Sequence, residues 1–215
     1  RAAWDAIDQS VFFYLNGTIA TPSTWSALWA VLNSRIMDLI PLLLLLPFLL
    51  IPNLVTQREE RLRACCELLI ILAVMLVVRY VFSYVIEWLH WRGNSPTLTL
   101  QPAHLLSQMY PQFHPKDSSS HSFPGDHSGV LMIVTGFLLL QRVNRWSFLA
   151  CAIASVFFLP RLFSGAHWFS DVVVGGGFIA SLSIAIGYFV SSSRHGAAAL
   201  AQKICQHRFT PVWLR

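Results

Sequence analysis

The sequence predicts an all-α fold, a polytopic bundle of transmembrane helices, and three observations carry that prediction. Apolar residues make up 55% of the 215-residue chain and charged residues only 12%, a membrane composition rather than that of a soluble domain. Runs such as "MDLIPLLLLLPFLLIPNLV" and "CCELLIILAVMLVVRYVFSYVIEWL" approach the roughly 20 residues a spanning helix requires. The basic residues gather in the connections between such runs, Arg58, Arg61 and Arg63 in one and Arg142 and Arg145 in another, with Arg194, Lys203, Arg208 and Arg215 near the C-terminus.

Taken in order, residues 1–36 contain "WDAIDQSVFFYLNG", short, amphipathic and aromatic-rich, too interrupted to span and expected at an interface. The first apolar segment, 37–55, carries Pro41, Pro47 and Pro52, which bend or break helices yet are tolerated where neighbouring helices satisfy the freed carbonyls. Further spans are expected at 64–90, 127–141, 146–162 and 168–190, making five in a single membrane-embedded unit, 1–215. Lys and Arg counts place 56–63, 142–145 and the tail, 191–215, on the cytoplasmic side and the long loop 91–126 outside. The chain begins at Arg1 with no start methionine or signal peptide, so a further N-terminal span, making six, is expected to precede it.

Composition also excludes function classes. No basic stripe interleaved with aromatics points to nucleic acid. Cys65, Cys66, Cys151 and Cys205 show neither CxxC nor zinc spacing and read as small apolar packing residues. Trp4, Trp25, Trp29, Trp88, Trp91 and Trp168 fit an interfacial aromatic belt.

Chemistry concentrates in two polar patches. The outer loop ends in "HSFPGDHSG", residues 121–129, against the apolar run "VLMIVTGFLLL"; Pro124 and Gly125 alone would make it an ordinary turn. The second patch is "PRLFSGAHWFSDVVVGG", residues 160–176. His167 and Asp171 stand four apart, stacked on one face if helical, so that the carboxylate can hold one ring nitrogen while the other points away. A satisfied structural histidine is the default for a lone pair of this kind. Against that default, Asp171 opens an apolar span, where a charge is expensive. Arg161 lies just upstream with Gly165 between to turn the chain, and arginine suits bidentate recognition of phosphate. By the expected topology both patches emerge on the same side.

"PGDH" at 124–127 followed by R-x5-H-x3-D at 161–171 resembles the second and third signatures of the membrane type 2 phosphatidic acid phosphatase (PAP2) superfamily. Within it, "SPTLT", "KDSSSHSFPGDH" and "GAHWFSD" look like the lipid A 1-diphosphate synthases of Gram-negative bacteria, a likeness covering about 30–180 of the chain. The resemblance implies a multi-pass enzyme of the bacterial inner membrane with a periplasmic site and no cofactor. It would move a phosphoryl group from undecaprenyl diphosphate to the 1-phosphate of lipid A through a phosphohistidine. His167 would be the nucleophile, Asp171 its orienting carboxylate and His127 the acid and then the base. Arg161 would hold the equatorial oxygens, assisted by amides near Gly125 and by the hydroxyl of Ser128.

The pattern departs from the family in several places. Gly125 stands where a phosphate-facing serine is usual, and Asp126 brings a carboxylate into an anion site, so it is expected to turn outward or to pair with a base such as Lys116. Pro160 replaces a serine. The first signature is degenerate, Ser95-Pro96 lying at its Arg-Pro and Trp88 at its lysine, which leaves Arg92 and Lys116 as phosphate-binding substitutes. Arg79 and Glu87 lie within a span, either functional, paired or snorkelling. His90, His104, His114 and His121 read as solvated loop residues. Three rivals remain: a lipid phosphatase using water as acceptor, a metal-dependent hydrolase built on His121, His127, His167, Asp126 and Asp171, and a non-catalytic lipid transporter.

Overall fold

The structure, a computed structural model, describes residues 2–88 and 93–192. Among them every regular element is helical: α1 (Ala2–Gly17), α2 (Thr24–Leu32), α3 (Ile40–Leu50), α4 (Arg61–Trp88), α5 (Pro96–Thr99), α6 (Leu106–Met109), α7 (Asp126–Gln141), α8 (Arg145–Val156), α9 (Leu159–Phe163) and α10 (Gly176–Ser192). A 3₁₀ turn, Arg35–Leu39, leads into α3 and a π turn, Asp171–Gly175, into α10. Each of the five apolar segments contains a helix, but among the described residues three helices, not five, are long and apolar enough to cross a membrane: Arg58–Trp88, Arg145–Phe163 and Asp171–Ser191. Helix α7 is apolar with 16 residues, and α3 has only 11.

The prolines explain the brevity of α3. Pro41 fits its first turn, where the missing N–H would be unpaired anyway. Pro47 removes an interior bond, and Ile51, immediately before Pro52, is extended at ψ 124°, as a residue preceding proline prefers.

Helix α10 is the hub, packed on α4 and α7 through small residues that let backbones approach. A Cβ on Gly187 would lie 3.0 Å from Ile71 Cα. The main core, Leu45, Phe48, Ile71, Met75, Leu131, Phe137, Ala150 and Ile179 among others, fills the space between the long helices. Leu69, Leu76, Tyr80 and Tyr84 of α4 stay exposed, as a helix facing lipid requires.

Two ends are distinct. Asn144 caps α8 and donates from Nδ2 to the Leu54 carbonyl at 2.6 Å, while Arg61 donates to the Leu50 carbonyl at 2.8 Å, so the basic connections before α4 and α8 share one end. The opposite end carries loop 93–125 and the starts of α7 and α10. Segment 1–36 is built into that end. Asn16 Nδ2 donates to the carbonyls of His104 and Phe163 at 3.0 and 3.1 Å, and Trp29 of α2 stacks on Phe163 with centroids 3.9 Å apart. Trp4, Ile7, Phe13 and Tyr14 of α1 remain exposed.

Candidate active site

The outer loop is stitched down rather than loose. Thr97 Oγ1 donates to the Asp117 carbonyl at 2.6 Å and lies 3.3 Å from that of Gly165. Ser95 and Ser119 exchange a backbone bond of 2.9 Å, and the fully buried Ser95 Oγ accepts from the Ser119 amide at 3.0 Å. Ser95-Pro96 is thus a structural knot at the position of the family's first signature.

The other two signatures touch. The Gly125 amide donates to the Asp171 carbonyl at 3.2 Å. A Cβ at Gly125 would stand 2.9 Å from that carbonyl oxygen and 2.7 Å from Ser128 Oγ, so this junction closes only with glycine. Ser128 Oγ donates to the Gly125 carbonyl at 2.8 Å and is buried against Gly176; its proton is committed to the junction.

His167 follows a tight reversal. Gly165, at φ +69°, bends the chain out of α9, and a Cβ there would meet Phe12 and Thr97 at 2.7 Å. His167 Nδ1 lies 2.7 Å from the Ser122 carbonyl. A carbonyl only accepts, so Nδ1 carries the proton and the lone pair is on Nε2. The expected direct bond to Asp171 is not made: Asp171 Oδ2 is 3.8 Å from Nδ1 and accepts the Trp168 amide at 3.0 Å. Spacing misled because His167 precedes the helix instead of lying on it, and Asp171 begins a π turn whose carboxylate folds back over the helix start.

Arg161, only 6% exposed, has both terminal nitrogens engaged. Nη1 donates to Asn33 Oδ1 at 2.7 Å and to the Asn33 carbonyl at 3.2 Å; Nη2 donates to both oxygens of Asp38 at 2.6 and 2.8 Å. Asp38 Oδ1 in turn lies 3.9 Å from His127 Nδ1, so one carboxylate joins the arginine to the second histidine. Sequence reasoning missed Asp38 and Asn33. The signal was available for Asp38, an acidic residue at the mouth of an apolar run, the argument applied to Asp171.

Asp126 pairs with Arg79 of α4, Oδ2 to Nη2 at 2.5 Å, rather than with Lys116. The counter-ion of this carboxylate therefore comes from the middle of a span. Lys116 is held through its backbone, its carbonyl accepting from Asn33 Nδ2 at 2.6 Å. Desolvation, reinforced by the charge of Arg161, holds its ammonium below the ordinary lysine pKa, against the pull of Asp126 and Asp38. Arg92 and His90 lie outside the described residues. His104 bonds the Asn16 side-chain amide through its own amide and carbonyl, His114 closes a 3₁₀ turn, and His121 Nδ1 meets Ser120 Oγ at 2.9 Å. Among the described residues no three His, Cys, Asp or Glu side chains gather as a metal would need.

A third element reaches the same place. Asp8 of α1, buried, accepts from the Ser170 amide and hydroxyl at 2.8 and 2.5 Å. Its pKa is raised by burial, with the nearby charge of Asp171 adding to the rise. A cavity of about 610 Å³ opens between α1 and this segment, walled by Trp4, Asp8, Ser122, Trp168 and Asp171.

A helical bundle that brings a proton-fixed imidazole, a second imidazole and a buried guanidinium to one end, beside a carboxylate-rich wall, has the parts of a phosphoryl-transfer site. The chain belongs to the PAP2 superfamily, whose pattern its residues 68–196 match. It is similar to the lipid A 1-diphosphate synthase of Escherichia coli (strain K12), 32% identical over 177 residues that cover 80% of this chain and 71% of that protein. No solved structure matches it. Family and relative together make it an enzyme of the phosphatase and phosphotransferase kind, with helices apolar enough for a multi-pass membrane protein.

Proposed function

We propose that this protein is an inner-membrane phosphotransferase that moves a phosphoryl group from undecaprenyl diphosphate to the 1-phosphate of lipid A, with its site toward the periplasm. The observation that carries the reading is His167, its Nδ1 proton given to the Ser122 carbonyl and its Nε2 lone pair left for attack. The similarity to a lipid A 1-diphosphate synthase supports lipid A as the acceptor. The orientation rests on the basic connections grouped at the far end by the Asn144–Leu54 bond.

In the first step, Nε2 of His167 bonds to the terminal phosphorus and the bond from that phosphorus to the bridging oxygen breaks. His127 gives its proton to the leaving oxygen, so undecaprenyl phosphate departs. In the second, an oxygen of the acceptor phosphate, deprotonated by His127, attacks the phosphohistidine and Nε2 is released. Asp171, 3.8 Å from Nδ1, stabilises the positive charge that develops on the ring. Asp38 stands in for the substrate anion: both its oxygens accept from the Nη2 of Arg161, and the incoming phosphate displaces them. Arg79 neutralises Asp126 so that the carboxylate does not repel substrate.

Undecaprenyl diphosphate labelled in its terminal phosphate, supplied with and without lipid A, tests this. The wild type is expected to carry acid-labile label on His167 and to pass it to lipid A. His167→Ala is expected to take no label. Free phosphate appearing equally in both tubes rejects the transferase in favour of a phosphatase, and label on no histidine rejects the mechanism.

A further inference from the structure

A second cavity, about 730 Å³, is walled by Ser34, Arg35, Ser107, His114, Lys116 and Ser118 among others. It is physically joined to the site. Asn33 uses its Oδ1 to accept from Arg161 and its Nδ2 to donate to the Lys116 carbonyl, so one side-chain amide fixes both walls. The Lys116 amide donates to the Asn33 carbonyl at 3.3 Å, and Ser34 and Pro115 form an antiparallel bridge. Arg35 and Asp38 share the 3₁₀ turn Arg35–Leu39 at a spacing of three. Side chains three apart eclipse in a 3₁₀ turn, about 6 Å along the axis. Arg35 therefore stands one turn from the carboxylate that touches Arg161.

The charge in this cavity is unbalanced. Among the described residues, neither the Arg35 guanidinium nor the Lys116 ammonium makes a hydrogen bond or ion pair. The one carboxylate in the wall, that of Asp117, already accepts the Ser107 amide at 2.7 Å. Burial depresses the pKa of Lys116, and the charges of Arg161 and Arg35 add to the fall while Asp126 and Asp38 oppose it. Hydroxyls of Ser34, Ser107 and Ser118 add donors. His114 has a left-handed backbone, φ 48°, in the same wall, a conformation that costs a non-glycine residue energy and is found where a site fixes it.

Resting on the phosphotransferase reading, we infer that this cavity is a second phosphate subsite, which holds the lipid-borne phosphate that is not transferred. In a double displacement through one histidine, leaving group and acceptor use the same in-line position in turn. Here both are lipid phosphate monoesters. One subsite beside Arg161 then serves the inner phosphate of the donor in the first step and the acceptor phosphate in the second. A phosphatase acting on a lipid monophosphate has no need of it, because its leaving group carries no phosphate. Arg35 and Lys116 supply the charge, and the volume leaves room for the first atoms of a lipid or sugar.

The test needs no turnover. The full-length protein in detergent is titrated with methylenediphosphonate and with methylphosphonate, which carry two and one phosphonate groups and cannot transfer them. Wild type is expected to bind the diphosphonate more tightly, and Arg35→Gln to lose at least about tenfold of that preference, the scale of one charged hydrogen bond. Arg35→Lys is expected to keep part of it. No preference in wild type, or the same preference in Arg35→Gln, overturns the subsite. A lost preference alongside absent phosphohistidine in the labelling experiment overturns the transfer reaction and leaves the subsite standing.

Discussion

Replacing Asp38 by asparagine separates two roles for a carboxylate that accepts twice from one terminal nitrogen of a buried arginine. If Asp38 holds the place of a phosphate, every substrate must displace it. It accepts two bonds, 2.6 and 2.8 Å, from a guanidinium whose side chain is 7% exposed, while its own is 36% exposed. A charge-assisted bond contributes about 1.5–3 kcal/mol, and partial exposure argues for the lower end, since solvent screens the pair. Removing the charge is therefore expected to tighten phosphate binding by about 1.5 kcal/mol, roughly tenfold. The apo protein is expected to melt lower, because Arg161 loses its counter-charge and keeps only Asn33. Titration with methylphosphonate, followed by both heat release and melting temperature, measures the two effects on one sample. Asp38→Asn is then expected to start lower and to gain more from ligand than wild type. Weaker phosphonate binding in Asp38→Asn refutes the displacement and makes Asp38 a brace for Arg161.

Three further outcomes follow from the same geometry. Arg79→Gln leaves Asp126 uncompensated beside the phosphate and is expected to raise the substrate KM about tenfold or more, while Arg79→Gln with Asp126→Asn restores it; additive losses in this kinetic cycle would show that the pair is not coupled. Because the Lys116 pKa is lowered, rising pH neutralises it earlier than an ordinary lysine. Phosphonate affinity is thus expected to fall as pH rises through that lowered value, and Lys116→Arg to flatten the fall in a pH series of titrations. Gly165→Ala meets both a left-handed φ and Cβ contacts of 2.7 Å. It is expected to cost about 1–3 kcal/mol of stability, read as a drop in melting temperature.

The helices were legible because hydrophobic run length needs no partner to be read. The two signatures were legible because they are local strings, and the structure brings them together through the Gly125 amide and the Asp171 carbonyl. What escaped was pairing. Arg79 and Asp126 are 47 residues apart and Asp38 and Arg161 are 123 apart, and no local pattern says which cation meets which carboxylate. The four-residue spacing of His167 and Asp171 implied a direct bond, yet that inference assumed a continuous helix through His167. The turn at Gly165 and the π turn after Asp171 broke the assumption. The partner of Nδ1 is a main-chain carbonyl, Ser122, a group every residue carries.

By itself the sequence determined that this chain folds as helices built for a bilayer, with basic connections at one end and its two polar patches at the other. Burying apolar surface and hiding backbone polar groups leave few alternatives. Only the tertiary structure decided which proton His167 keeps, that Asp38 sits against Nη2 of Arg161, and that a cationic cavity adjoins it. Those outcomes depend on distances of 2.6–3.9 Å between groups far apart in the chain. Hydrogen bonds and ion pairs weaken steeply over such distances, so composition and spacing cannot stand in for coordinates.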